Sequence, residues 1–270
     1  MKTRSSKVSP VVVALGFLTT VAVIAGGCAA ESVALDEDDT EYFEEIDDAL
    51  IQRVGGRVSA TKVLEDEDIE GDQNVTVAQV QALLDESRSS LRDYSVGGRT
   101  AAEVIVTQAL ASRISPIYML ARLQTEQGLV FAPKSGRALT RALNKAMGCG
   151  CPDYAPCSRS NVGFEGQVVC GAKLVRVYLD NLDKGLTTAG GSAYIQPKEW
   201  KLGKTTRTLD GCYIRPENRA TAALYTYTPW VGQSSTSSCG ARQHMGTSGL
   251  AIQYKKVKLN VGPLSGSFAP

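Results

Sequence analysis

Apolar residues fall into three regimes along the chain. Residues 10–24 form one continuous apolar run, residues 28–73 hold few large apolar side chains, and from Val75 onward apolar positions recur every three or four residues. That last period is the mark of helices with one buried face. Thr76 and Gln79 stand at capping-box spacing, and Val77, Val80, Leu83, Leu84 and Leu91 then share a face. Thr100 and Glu103 repeat the box at the head of "TAAEVIVTQALASR", whose Val104, Ile105, Ala109 and Leu110 are expected to pack inward. Ser115-Pro116 opens a third helix, with proline at the first position where no hydrogen bond is lost. It is expected to run to near Phe131, ahead of Pro133. A fourth helix, about residues 136–147, sets Arg137, Arg141 and Lys145 opposite Ala138, Leu139, Ala142 and Leu143. A fifth, about 165–184, ends at Gly185, a residue suited to the left-handed turn after a helix. A short helix over "ENRATAALYTYT" is stopped by Pro229. "GCGCPDYAPCSRSNVGF" reads as a loop, and residues 186–213, rich in Gly, Thr and Lys, as holding a hairpin. The tail "LAIQYKKVKLNV" alternates like a strand, and "GPLSGSFAP" reads as loose. The sum is a mainly α (α+β) fold: a helical domain with a small β and loop region.

The N-terminus changes the compartment. Lys2, Arg4 and Lys7 precede the apolar run, and Ala25-Gly26-Gly27 then lead to Cys28. This is the order of an export signal, and a cysteine directly after small residues resembles a bacterial lipobox, in which the cysteine is lipidated. Residues 1–27 are thus read as a lipoprotein signal peptide, with an ordinary cleaved secretory signal as the alternative. Ala29 is not the aspartate that in diderm bacteria marks inner-membrane retention, so an outer-membrane anchor is the expectation. Six further cysteines, Cys149, Cys151, Cys157, Cys170, Cys212 and Cys239, are an even number in an exported chain and imply disulfides. Sequence alone leaves several connectivities open; the set expected is Cys149–Cys170, Cys151–Cys157 and Cys212–Cys239. With one histidine, His244, and no paired CxxC knuckles, no metal is implied, and no cofactor either.

Charge is informative only when divided. Residues 28–74 hold 16 acidic against 3 basic side chains, a net of −13, and residues 75–270 hold 12 against 23, a net of +11. The acidic part (residues 28–73) reads as a solvated, disordered tether in which "IDDALIQRV" is a short helix at most. The basic remainder (74–270) is long enough for one core and favours an anionic partner. Outside the cytoplasm that partner is wall polymer or another anionic envelope glycan rather than nucleic acid.

One carboxylate stands out. In "LARLQTEQGLVF", Glu126 lies a turn from Leu123 and Val130, at the border of the buried stripe and close to the C-terminal end of its helix. Partial desolvation and the carbonyl ends of the helix both disfavour the charged form of a glutamate so placed. A glutamic acid that keeps its proton near neutral pH is what glycosidic cleavage needs, since the leaving oxygen must be protonated as the C–O bond breaks. The plain alternative is an amphipathic helix with Glu126 paired to Arg122 at i−4.

"SPIYMLARLQTEQGLV" resembles the catalytic-glutamate helix of the lysozyme-like superfamily, which contains lytic transglycosylases and goose-type lysozymes. The run through "AAEVIVTQALASRISPIYMLARLQTEQGLVF", "GCGCPDYAPC", "GFEGQVVCGAKLVRVYLD" and "CYIRPENRATAALYTYTPW" is similar to exported bacterial envelope proteins of that fold, over about residues 75–230. The resemblance implies a lysozyme-like domain with Glu126 as general acid. Gln127 and Gly128 stand where a small polar residue often follows the acid, so "EQG" departs from the usual "ES". Gly166-Gln167 matches the glutamine motif, and Tyr225 and Tyr227 the tyrosine motif bordering the acid, with Thr226 in place of the expected asparagine. Trp230 and Tyr227 offer aromatic faces suited to sugar rings. Gln167 as a turn cap and Tyr225 as a core residue are the structural alternatives.

Retaining and inverting glycosidases use two carboxyl groups roughly 5 to 9.5 Å apart. Asp153, Glu165 and Asp210 are the candidates for a second, and none has a sequence warrant. Without it, the transglycosylase route remains. A Cys-His protease would need a free thiol, and a serine triad would need His244 without any GxSxG, so both are set aside. The expectation is a lipoprotein that cleaves the β-1,4 MurNAc–GlcNAc link of peptidoglycan. A non-catalytic glycan-binding module and an envelope protein that meets other proteins are the alternatives.

Overall fold

Packed structure includes residues that the apolar pattern leaves out. The computed structural model describes residues 58–151, 156–186, 188–190, 198–232 and 246–262. Its first helix, α1 (Asp66–Glu70), lies inside the segment expected to be a disordered tether. Val58, Val63, Leu64 and Ile69 are buried in the same core as the later helices. The acidic side chains around them are not left to solvent. Arg219 binds Asp66 (3.1 Å), Glu70 (2.6 Å) and Asp183 (2.6 Å), and Arg176 binds Glu70 at 2.5 Å. Asp66 also accepts from the Ala220 backbone N–H at 2.7 Å. A charge run looks solvated when its partners lie about 150 positions away; residues 58–73, expected in the tether, instead belong with the packed helices. Counted over residues 58–270, 18 acidic and 24 basic side chains leave +6 rather than +11.

Capping fixes the next starts as expected. Thr76 Oγ1 accepts from Gln79 N–H (3.2 Å) and Gln79 Oε1 from Thr76 N–H (2.9 Å), opening α2 (Val77–Glu86). A two-stranded hairpin follows, β1 (Ser95–Val96) and β2 (Arg99–Thr100), turned by Gly97 and Gly98, both at positive φ as a two-residue hairpin turn requires. Thr100 and Glu103 then cap α3 (Ala101–Ala111) reciprocally. Leu110, expected inside, is 37% exposed.

The central element is α4 (Pro116–Gln127), capped by Ser115 Oγ, which accepts from Tyr118 N–H at 3.2 Å. Every residue from Pro116 to Gln124 is buried. It ends at Gln127, four residues earlier than expected, because Gly128 turns left-handed (φ 57°) and Gln124 Oε1 accepts from the N–H groups of Val130 and Phe131, both at 2.9 Å. Around it come α5 (Gly136–Asn144), a 3-10 turn at Arg159–Asn161, α6 (Phe164–Asp183), hairpin β3 (Thr188–Gly190) with β4 (Lys198–Trp200), hairpin β5 (Thr206–Arg207) with β6 (Tyr213–Ile214), and α7 (Arg219–Tyr227). The last helix, α8 (Gly246–Asn260), packs along α4.

That α8 is a helix corrects the expected C-terminal strand. Thr247 through Tyr254 are all buried, so over this stretch the helix has no open face to impose a 3.6-residue period on the sequence. The spacing of Leu250, Ile252 and Tyr254 then mimics a strand. Cys149–Cys170 and Cys151–Cys157 are bonded as expected. Cys239, expected to pair with Cys212, lies outside the described residues, as do Cys28, His244 and the segments 10–24 and 263–270. The fold is thus mainly helical, with small antiparallel hairpins and disulfides. Among the described residues no helix is long and apolar enough to cross a membrane.

Candidate functional site

Glu126 sits in the last turn of α4 where the helix surfaces, its side chain 26% exposed. Four residues earlier, Arg122 is only 3% exposed and its Nη2 donates to Glu126 Oε1 at 2.8 Å. The i−4 pair foreseen as the plain alternative therefore forms, but its cation is enclosed rather than solvated. The guanidinium carbon lies 3.6 Å from the centre of the Tyr227 ring, and Nη2 also donates to the Met147 carbonyl at 3.3 Å. Tyr227 Oη donates to that same carbonyl. Burial alone would penalise the Arg122 cation, but Tyr227, Glu126 and Tyr118 more than compensate and strengthen its hold on the proton. Burial pushes the Tyr227 hydroxyl up, with Arg122 opposing, so this phenol stays protonated.

Among the described residues the second carboxylate oxygen has no hydrogen-bond donor. Glu126 Oε2 faces Gly148: a methyl group there would lie 3.2 Å from Oε2 and 3.2 Å from Tyr227 Oη. Gly148 has φ 66°, so its left-handed turn and its missing side chain both favour glycine. Three segments far apart in sequence, the end of α4, the 147–149 turn and the end of α7, thus converge on one carboxylate.

Gln167, on α6, holds the middle segment in place. It is fully buried, and its Oε1 accepts from the N–H groups of Met147 and Cys149, both at 3.1 Å. Its Nε2 donates to the carbonyls of Cys149 (2.8 Å) and Asn161 (2.6 Å). The expected contact with sugar is corrected accordingly: the amide is saturated by backbone and reaches Glu126 only through the loop it orders. Tyr225 is corrected likewise. Fully buried, it stacks on Trp200 (centroids 4.8 Å apart) and donates to the Ala60 carbonyl at 2.9 Å. Tyr227, two residues later, is the tyrosine that lies beside Arg122 and Glu126. Gln127 and Trp230 are half-buried.

The candidates for a second acid are occupied elsewhere. Glu165 pairs with Arg99, and Asp210 accepts from the backbone N–H groups of Val231 (3.2 Å) and Gly232 (3.0 Å). Asp153 lies outside the described residues. Among the described residues no three His, Cys, Asp or Glu side chains cluster as metal ligands would.

A surface groove of about 750 Å³ runs along the outer side of α6, lined by residues such as Asn161, Glu165, Lys173 and Val177. It does not include Glu126. Concavity alone therefore points away from Glu126, the one place among the described residues where a partly exposed carboxylate is held by a buried cation, and the chemistry is the stronger guide. Sequence reasoning missed Arg122 as a buried group, and with it Gly148. The signal was present: Arg122 is one turn from Tyr118 within the apolar run Ile117–Leu123.

No family model, curated protein or solved structure matches the chain.

Proposed function

We propose that this is an envelope lipoprotein with a lysozyme-like domain that cleaves the β-1,4 MurNAc–GlcNAc bond of peptidoglycan by lytic transglycosylation. One observation carries the reading: Glu126 emerges from a buried helix with one oxygen fixed by Arg122 and the other turned toward Gly148 and the Tyr227 hydroxyl. In this reading Glu126, protonated in the substrate complex, gives its proton to the glycosidic oxygen as the C1–O bond breaks. The sugar's own C6 hydroxyl then attacks C1, its proton passes to Glu126, and a 1,6-anhydro ring forms without water. A single carboxyl group is sufficient for that route, which suits a site where Glu165 and Asp210 are engaged elsewhere. Tyr227, Gln127 and Trp230 would meet the sugar, Arg122 would position the acid, and Cys28 would carry the lipid in the outer membrane.

A glycan-binding module without catalysis is the second reading. It is favoured by the burial of Gln167 and Tyr225, two of the residues the resemblance assigns to substrate.

Mass spectrometry of products after incubation with peptidoglycan separates the two. Wild-type protein should release anhydro-muropeptides and a folded Glu126→Gln variant none. Reducing ends in their place would mean hydrolysis and a second carboxylate. If neither protein gives products and both sediment with the wall, the enzyme reading fails and the binding reading stands.

A further inference from the structure

The stretch between β4 and α7 presents apolar and cationic side chains together on the surface. Leu202 (44% exposed), Leu209 (49%) and Tyr213 (72%) account for three of the large exposed apolar residues among the described ones. Lys201, Arg207 and Arg215 are exposed beside them. The register places Arg207, Tyr213 and Arg215 on one side. Arg207 is paired with Tyr213 across β5 and β6, and its guanidinium lies 5.9 Å from the Tyr213 ring centre, while their neighbours Thr206 and Ile214 form the inward pair. Arg215, two residues beyond Tyr213, returns to the outer face, and its guanidinium borders Gly203 next to Leu202. Three acids lie close by and all are engaged: Glu199 binds Lys204 at 2.9 Å, Asp210 accepts from the backbone N–H groups of Val231 and Gly232, and Glu217 accepts from Thr61 at 2.6 Å. Among the described residues Lys201, Arg207 and Arg215 form no ion pair.

We propose that this face, centred on Leu202, Leu209 and Tyr213, docks on an anionic lipid surface. A polysaccharide polyanion would satisfy the cations but give the two leucines nothing to bury against. A bilayer interface satisfies both: leucines enter the acyl boundary, tyrosine sits at headgroup depth, and the cations meet anionic headgroups. One such hairpin binds weakly and reversibly, which fits a second contact that orients an already tethered domain. The inference is independent of what Glu126 does.

Hydrogen–deuterium exchange on the full chain, with and without vesicles, tests it. An apolar sequence such as residues 10–24 binds vesicles of any composition, so partition alone decides nothing and the exchange rate of residues 201–215 is the readout. Phosphatidylglycerol vesicles should slow exchange there, phosphatidylcholine vesicles should not, and high salt should reverse the effect. Leu202→Asp with Leu209→Asp should abolish the protection. Replacing Lys201, Arg207 and Arg215 by Gln should weaken it about 100-fold, at about fivefold per cation. Unchanged exchange at 201–215 on anionic vesicles overturns the proposal. So does protection by soluble wall polymer without protection by vesicles, which would make this a polymer-binding face.

Discussion

Replacing Glu126 by Gln should destabilise the protein far more than an ordinary surface ion-pair deletion, because the partner left behind is buried. A solvated i,i+4 pair is worth about 0.3–0.5 kcal/mol. Here Arg122 is 3% exposed, and its neutralising carboxylate is the only anionic partner among the described residues. Removing one partner of a buried pair typically costs about 3–5 kcal/mol. Glu126 is itself 26% exposed, and the amide oxygen of Gln still accepts a hydrogen bond, so the low end, about 3 kcal/mol, is expected. At about 2–4 °C per kcal/mol for a domain of this size, Tm should fall by roughly 6–12 °C. Arg122→Met, which removes the buried charge and keeps much of the volume, should cost less, about 1–2 kcal/mol, and the double variant should resemble it. Denaturant titration of the four proteins, disulfides intact, gives the coupling directly. A Glu126→Gln protein within about 0.5 kcal/mol of wild type would refute the claim that Arg122 depends on this carboxylate. The outcome also bears on activity measurements, since loss of product formation by Glu126→Gln speaks for catalysis only under conditions where that variant remains folded.

Gln167→Leu keeps the size of the side chain but strands four backbone groups, those of Met147, Cys149 (two) and Asn161. At about 1 kcal/mol or more each it should cost roughly 4 kcal/mol, and near-native stability in denaturant would show the loop to be self-supporting. A chain beginning at residue 74 loses the buried Val58, Val63, Leu64 and Ile69. At about 1.5–3 kcal/mol apiece that rivals the total stability of a domain, so circular dichroism and gel filtration should find it unfolded or aggregated. Burial raises the hydroxyls of Tyr118, Tyr225, Tyr227 and Tyr254 above the ordinary phenol range. Their stabilising contribution is whole below about pH 10, where unfolded tyrosine titrates, and is lost above it at about 1.4 kcal/mol per pH unit per group. Absorbance titration should therefore show these tyrosines ionising only together with unfolding. A smooth titration of all ten tyrosines near pH 10 in folded protein would contradict it.

Helix starts were legible because a cap is local chemistry: Thr76 with Gln79, Thr100 with Glu103, and Ser115 with Pro116 lie within one turn of each other, so adjacent residues carry the whole signal. The prominence of Glu126 and two of the disulfides could be read the same way, from a charge on an apolar helix and from an even cysteine count. What only the tertiary structure decided involves partners distant in sequence. Residues 58–73 looked solvated until Arg176 and Arg219 supplied their counter-charges. The helix at 246–260 looked like a strand because burial on several sides erased its period. Gln167 and Tyr225 looked like site residues until the core enclosed them, whereas Gly148 carried no visible signal and became the neighbour of the Glu126 carboxylate. Periodicity and capping record what a residue does within its own helix. Burial and charge pairing depend on which other segments arrive, and that is fixed only when the chain closes on itself.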